Sequence, residues 1–336
     1  MIILNNPNSA MTQRRSFVMA GAGTLALGRS VHAQQPGRTY RLGWLDATAT
    51  RAESYQTAFI SRLREMGFDE GRNLVVEFRT TAGRAERINE FAAEIAKLNC
   101  DVILVPAPEY GLTAMKNASK DEPIVMIAND YDPVASGHVV QMARPGGRIT
   151  GISQLQAELP AKRLQVLKEL MPALRRVGVL ADSATVGQLK VAREAAPKLG
   201  LELVVHEFAQ SPYDYDAAFA SFTRARAEAL LALASGNFVP ARRLIPQLAV
   251  QHRLPGMFST AVWVEAGGLI GYGPNFTQAY QRAAEQVAKI LNGTKPGEMP
   301  VEQPNAVEMA INMVTAKSLG VVIPQSLRLR ADRLIE

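Results

Sequence analysis

From Tyr40 onward the chain alternates short apolar runs with longer stretches whose apolar residues fall at helical spacing. Tyr40–Leu45 predicts a strand. Ala52–Met66 puts Tyr55, Phe59, Leu63 and Met66 along one helical face, and Gly67 follows as a C-terminal stop. Strand Leu74–Phe78, helix Ala85–Leu98, strand Asp101–Val105, helix Gly111–Ala118 and strand Ile124–Ile127 continue the series. Short strands with helices between them predict a doubly wound α/β sheet of parallel strands, covered on both faces.

Arg144-Pro-Gly-Gly-Arg148 interrupts the series, which then restarts. Strand Thr150–Ser153, helix Leu159–Leu170, strand Arg176–Leu180, helix Thr185–Leu199, strand Leu201–Glu207, helix Asp216–Ala225, strand Ala229–Ala232, helix Pro240–Arg253 and strand Gly256–Phe258 make a second set. Two such sets predict two Rossmann-like lobes, with Pro-Gly-Gly as the first hinge. Strand Gly268–Tyr272 and helix Thr277–Leu291 follow. No strand of the βαβ type comes after that helix, so it is expected to cross back onto the first lobe. An extended pair, Met299–Gln303 and Ala306–Asn312, and a final helix, Val314–Leu319, return to the second. The expected N-terminal lobe is 38–149 plus about 273–297; the C-terminal lobe is 150–272 plus about 298–336.

The first residues read differently. Arg14-Arg15 precede a small-residue apolar run, Phe17 to Gly28, and Val31-His32-Ala33 offers small residues around a cleavage point after Ala33. The run is well short of the roughly 20 residues that a membrane-spanning helix needs. Residues 1–33 therefore read as a signal peptide whose true start is Met11, and the protein is expected in the periplasm. Arg14-Arg15 with Phe17 resembles a twin-arginine signal, although Gln13 stands where Ser or Thr is usual.

Composition narrows the function. With 336 residues, 47% hydrophobic and 20% charged, the chain suits two globular domains. The net charge of +6 halves once Arg14, Arg15 and Arg29 leave with the signal peptide, and the remaining basic residues are interspersed with acidic ones. Nucleic acid is not an expected partner. The tail's Arg328, Arg330 and Arg333 read as a solvated face. Cys100 is the one cysteine, so no intrachain disulfide forms, and it reads as a buried, inert thiol. The four histidines form no HxxxH pair, and neither GxSxG, GxGxxG nor a P-loop is present. No metal site, cofactor or enzymatic activity is expected, although an enzyme on the same scaffold is an alternative reading.

Ligands of open α/β sheets bind beyond the carboxyl ends of the strands. The candidate ligand residues are therefore Asp46, Thr48, Pro108, Glu109, Asn129, Asp130, Gln154, Asp182, Ser235, Asn237, Ser259 and Tyr272. Asp46 lies too far upstream to cap the next helix and suits a ligand amino group. Ser235-Gly-Asn237 suits a helix cap or ligand hydrogen bonds. Tyr272, between two glycines, suits hinge packing or stacking on a ligand. Asp132 before Pro133 is expected to cap a helix. Trp44 and Trp263 are expected in the core.

Several segments carry a family resemblance. They are Phe68–Glu77 (FDEGRNLVVE), Asp132-Pro-Val134, Ala143–Gly147 with Ile149–Gly151, Val264–Gly268 with Tyr272–Pro274, Leu291–Pro296, Pro300–Pro304 and Ile323–Leu327. In this order the chain resembles the ABC-transporter substrate-binding family that includes the tryptophan/tyrosine-binding proteins, from about Tyr40 to Glu336. The resemblance implies a type I periplasmic binding protein fold with three hinge crossings. It also implies a small-molecule ligand, amino acid or similar, and permease and ATPase partners on other chains; a monomer suits such docking. A periplasmic sensing subunit would share the same cleft. Such families often place Thr-Pro after the third strand. Here the segment is Pro106-Ala-Pro-Glu-Tyr110, with Glu109 at the Thr position, which favours an amine or hydroxyls over a carboxylate on this lobe.

Overall fold

The computed structural model describes residues 37–46, 51, 53–82, 84–129, 131–154, 159–210, 212–304 and 307–336. The signal-peptide reading, with Arg14, Arg15 and the cleavage after Ala33, lies outside them, as do Thr48 and Asp130. Among the described residues no helix is long and apolar enough to cross a membrane.

The first series forms β1 (Tyr40–Asp46), α1 (Ser54–Glu65), β2 (Leu74–Thr80), α2 (Ile88–Ala96), β3 (Val102–Val105), α3 (Glu109–Ala118) and β4 (Ile124–Ala128), and it is joined by β5 (Ile149–Ser153), the strand expected to open the second lobe, which pairs with β4 instead. These strands make a five-stranded sheet in the order β2-β1-β3-β4-β5, parallel throughout. Its inner strands β3 and β4 are apolar on both faces because helices cover both. On one face Trp44, Val125 and Ile127 meet Phe59 and Leu63 of α1; on the other Ile103, Val105 and Met126 meet Phe91 and Ile95 of α2. Trp44 is fully buried, edge-on to Phe59 at 4.9 Å, a contact worth about 0.5–1.5 kcal/mol beyond the area it covers.

The second series forms α4 (Leu159–Leu170), β6 (Arg176–Asp182), α5 (Val186–Ala195), β7 (Glu202–Phe208), α6 (Tyr215–Arg224), β8 (Ala229–Ala232), α7 (Leu244–Gln251), β9 (Gly256–Phe258), α8 (Ala261–Glu265) and β10 (Ile270–Pro274). The chain then enters α9 (Phe276–Leu291), β11 (Val307–Asn312), α10 (Met313–Leu319), α11 (Gln325–Arg330) and β12 (Arg333–Ile335). The second sheet has seven strands in the order β12-β11-β10-β9-β8-β6-β7.

Helix α9 packs on the first sheet: Ala283, Val287 and Ala288 are buried with Trp44 and Phe59, and Arg62 of α1 reaches Glu285 at 2.8 Å. This excursion explains a departure from the expected parallel sheets. β10 ends beside the first lobe and β11 begins there, so the returning strand runs antiparallel to β10, pairing Pro274 with Val307. The two extended segments expected as a pair also serve different sheets. Glu302 bridges Ile152 on the first sheet's edge, whereas Val307–Asn312 joins the second. Asp132 starts no helix; its Oδ1 accepts from the Val134 and Ala135 amides and closes a turn. Helices α8 and α11 and strand β12 give no separate signal in the hydropathy pattern, each being six residues or fewer.

Candidate functional site

The carboxyl ends of β1, β3 and β4 face those of β8 and β9 across a cleft, and a pocket of about 90 Å³ lies between them. The first lobe supplies an aromatic wall around one acid. Asp46 ends β1 and is 1% exposed; its Oδ2 accepts from Gln56 Nε2 at 3.2 Å. Tyr55, the second residue of α1, packs on Tyr280 at 4.7 Å and edge-on to Phe276 at 5.8 Å, both from α9. Burial first, then the Asp46 charge, pushes the Tyr55 and Tyr280 hydroxyls well above the ordinary phenol range, so both stay neutral donors. Pro106, Ala107, Pro108 and Asn129 complete this wall; the Asn129 Oδ1 is buried and has no hydrogen-bond partner among the described residues.

The second lobe supplies small polar groups on a rigid support. Ser235 caps the 3-10 turn Gly236–Ala241, accepting from the Asn237 amide at 3.1 Å, and donates its hydroxyl to Asp182 Oδ2 at 2.5 Å. Asn237 Nδ2 and the Tyr213 hydroxyl donate to the same carboxylate at 3.0 and 3.1 Å, and the Ala184 amide donates to Oδ1 at 3.0 Å. Ser259, Thr260 and Val262 follow β9, and Trp263 stacks on Phe258 at 5.5 Å. Behind Ser259, Arg163 of α4 is fully buried. Its Nη2 donates to the Ser259 carbonyl at 3.1 Å and its Nε to the Tyr272 carbonyl at 2.8 Å. Burial lowers its guanidinium to about 9. Gly273 lets β10 pass this point, since a Cβ there would lie 1.8 Å from the Ser259 oxygen.

An outer compartment of about 340 Å³ adjoins the inner one, sharing Pro108 and Gly236 with it. Glu109, Tyr110 and Tyr131 face Ser183, Ala184 and Asn237 across it. His138 Nε2 stands 3.5 Å from the Glu109 carboxylate, and burial lowers the imidazole pKa.

Of the residues expected from the sequence, Asp46, Pro108, Asn129, Ser235 and Ser259 line the inner pocket; Glu109 and Asn237 line the outer. Three are not brought to either. Asp182 is consumed by the four donors above. Gln154 is 3% exposed, its backbone N–H donating to the Ala128 carbonyl at 2.7 Å. Tyr272 packs on the second sheet's own core, because its position on β10 turns the ring to the face shared with Ile270. Sequence reasoning missed Tyr55, Arg242, Phe276 and Tyr280. The available signal was the four-residue spacing of Phe276 and Tyr280, which points both rings the same way from α9.

The family described as ABC transporter substrate binding protein matches residues 51–335. A tyrosine-binding protein of Clostridioides difficile is 25% identical over 266 residues, covering 78% of this chain and 75% of that protein. The crystal structure of a conserved domain protein from Vibrio cholerae superposes with a TM-score of 0.78 at 25% identity, over 88% of this chain and 100% of that one. An ABC domain from Streptococcus pneumonia in complex with L-Trp gives 0.71 at 20% identity, over 88% and 100%. The fold is that of type I periplasmic binding proteins.

Proposed function

The chain belongs to the ABC transporter substrate-binding protein family, and on that footing we propose that it captures an amino acid with an aromatic or apolar side chain between its lobes, outside the cytoplasm. One observation carries this reading: the charged side chains lining the inner pocket are one acid, Asp46, and one base, Arg242, set among Tyr55, Trp263, Phe276 and Tyr280. That pairing complements a zwitterion, with an ammonium at Asp46 and a carboxylate at Arg242, while the rings cover the side chain. The tyrosine- and tryptophan-binding relatives support the same class.

On this reading the chain is exported through residues 1–33 and works with a permease and an ATPase carried on other chains. The bodies that close are the five-stranded lobe, about 38–153 with 276–302, and the seven-stranded lobe, about 159–274 with 307–336. Because β5 pairs with β4, the expected hinge at Arg144–Arg148 falls inside the first lobe, and the turning points are the crossings after β5, after β10 and before β11. Closure on ligand is the signal the permease reads, since a ligand favours the state it binds better. The protein performs no chemistry on what it binds.

Thermal unfolding of the chain from Gln34 onward, against amino acids, sugars and nucleobases, tests the proposal. A ligand at 100 times its dissociation constant adds about 2.7 kcal/mol of stability, a shift of about 4 °C for a chain this long. The expected hits are tyrosine, tryptophan or apolar amino acids, recovered unchanged after incubation. A hit confined to sugars or nucleobases, or a ligand consumed during incubation, refutes it.

A further inference from the structure

Ion pairs such as Arg62–Glu285, Arg79–Glu94, Arg330–Glu169 and Arg333–Glu265 each stay on one side of the cleft. Arg242–Glu53 does not. Glu53 is the N-cap residue of α1, over the first sheet; Arg242 closes the 3-10 turn after β8, on the second. The two are 189 positions apart in sequence, yet Nη2 stands 2.5 Å from Oε1. Their side chains are 23% and 13% exposed. A contact this short ties the two lobes together, and drawing the lobes apart at this point would return both charges to water.

Arg242 has a second neighbour. It lines the inner pocket, whereas Glu53 does not. A guanidinium carries five N–H donors in a planar fork, and Glu53 takes one edge of it. No other side-chain hydrogen bond of Arg242 is formed among the described residues, so part of the fork is left for the pocket. One cation thus meets a protein carboxylate from the opposite lobe and the space where a ligand's own anionic group would lie.

We propose that Arg242 and Glu53 form a latch across the cleft in which the guanidinium serves Glu53 and the ligand's carboxylate together, so that a carboxylate on the ligand completes closure. This rests on the inner pocket being the ligand site, and it goes further. It makes Arg242 the residue that separates amino acids from their decarboxylated amines. It also makes Glu53, which lines no pocket wall, a determinant of how long the ligand stays. A planar fork that meets two carboxylates on different edges is held in place by the first before the second arrives, which lowers the ordering cost of ligand binding.

The test uses Glu53→Gln, Arg242→Gln and the double variant in the otherwise intact chain. Glu53→Gln keeps a side-chain oxygen at the N-cap, and the Gln56 side chain still accepts from the residue-53 amide at 3.3 Å, so the fold is retained. Without ligand, small-angle scattering is expected to give a larger radius of gyration for each single variant than for the parent, with no further increase in the double. With ligand, Glu53→Gln is expected to speed dissociation about tenfold while leaving association unchanged. Arg242→Gln removes the latch and the carboxylate contact together, so it is expected to weaken binding of the amino acid about 100-fold and of the matching amine, tyramine or tryptamine, only by about the tenfold that losing the latch costs.

An unchanged radius of gyration together with an unchanged dissociation rate in Glu53→Gln overturns the latch. Equal losses for amino acid and amine in Arg242→Gln overturn the carboxylate contact. If the parent binds no amino acid, the ligand reading fails first, and the ligand-free scattering comparison still decides whether the latch exists.

Discussion

Asp46 and Asp182 occupy the same place in the two lobes. Each ends the first strand of its series, β1 or β6, each strand has the next two of its series as neighbours, and each aspartate is 1% exposed. Their fates differ because the chain leaves the two strands differently. After Asp182 the turn Ser183–Thr185 begins at once, so the carboxylate caps it through the Ala184 amide and then gathers Ser235, Asn237 and Tyr213. After Asp46 helix α1 is delayed until Ser54 and takes Glu53 as its N-cap residue. Asp46 accepts from Gln56 Nε2 of that helix and forms part of the wall of the inner pocket. Two equivalent acids have become the hub of a hydrogen-bond network and a pocket wall, and loops of different length follow them.

Substitutions can break this distinction. The largest expected effect is on stability in Asp182→Ala, which strands four donors in a buried place and should cost about 3–5 kcal/mol. Denaturant unfolding measures it, and a loss below about 1 kcal/mol would show that the network is not a support. Asp46→Asn should reverse the pattern. Amino-acid affinity is expected to fall about 30-fold, near 2 kcal/mol, with the unfolding midpoint of the unliganded protein almost unmoved. Calorimetric titration beside thermal unfolding separates the two, and equal behaviour of Asp46 and Asp182 variants would erase the contrast.

A smaller effect sharpens it. Tyr213→Phe removes one of the four donors to Asp182 and should cost about 1 kcal/mol at neutral pH. It should also change the alkaline limb. Burial and the neighbouring Asp182 charge hold the Tyr213 phenol up to about 12, against an ordinary value of 10.0. Below pH 10 both folded and unfolded chains keep this proton, so its contribution is constant. Between pH 10 and 12 the unfolded chain releases it first, and stability falls as pH rises. Stability measured across that window should therefore fall more steeply in the parent than in Tyr213→Phe; identical slopes would place the Tyr213 hydroxyl in solvent.

The order of strands and helices was legible because each buried strand is a short apolar run and each covering helix shows one apolar stripe. What was not legible depended on partners far away in sequence. The antiparallel turn of β11 follows from α9 docking on the first sheet, which no local pattern near Val307 reveals. The strand-end rule brought Asp46, Asn129, Ser235 and Ser259 to one cavity. It failed for Tyr272 because a residue inside a strand obeys the alternation of faces, and this one faces the core. Tyr55, Phe276 and Tyr280 were hidden for the opposite reason. On a helix the same aromatic spacing marks core and cavity alike, and only the first turns of α1 and α9 reach the cleft. Arg163 gave no sign at all, a buried arginine whose partners are carbonyls of two strands formed about a hundred residues later.

The burial of Cys100 has a practical consequence. The thiol is 6% exposed and its pKa is raised to about 11, mainly by burial, so at neutral pH it is both shielded and un-ionised. Thiol-directed dyes will pass it by. A cysteine introduced at Val140 and another at Val186, exposed sites on opposite lobes, would carry a fluorophore pair with the native cysteine left in place. The opening and closing of single molecules could then be watched directly, in a chain that needs no prior stripping of its own sulfur.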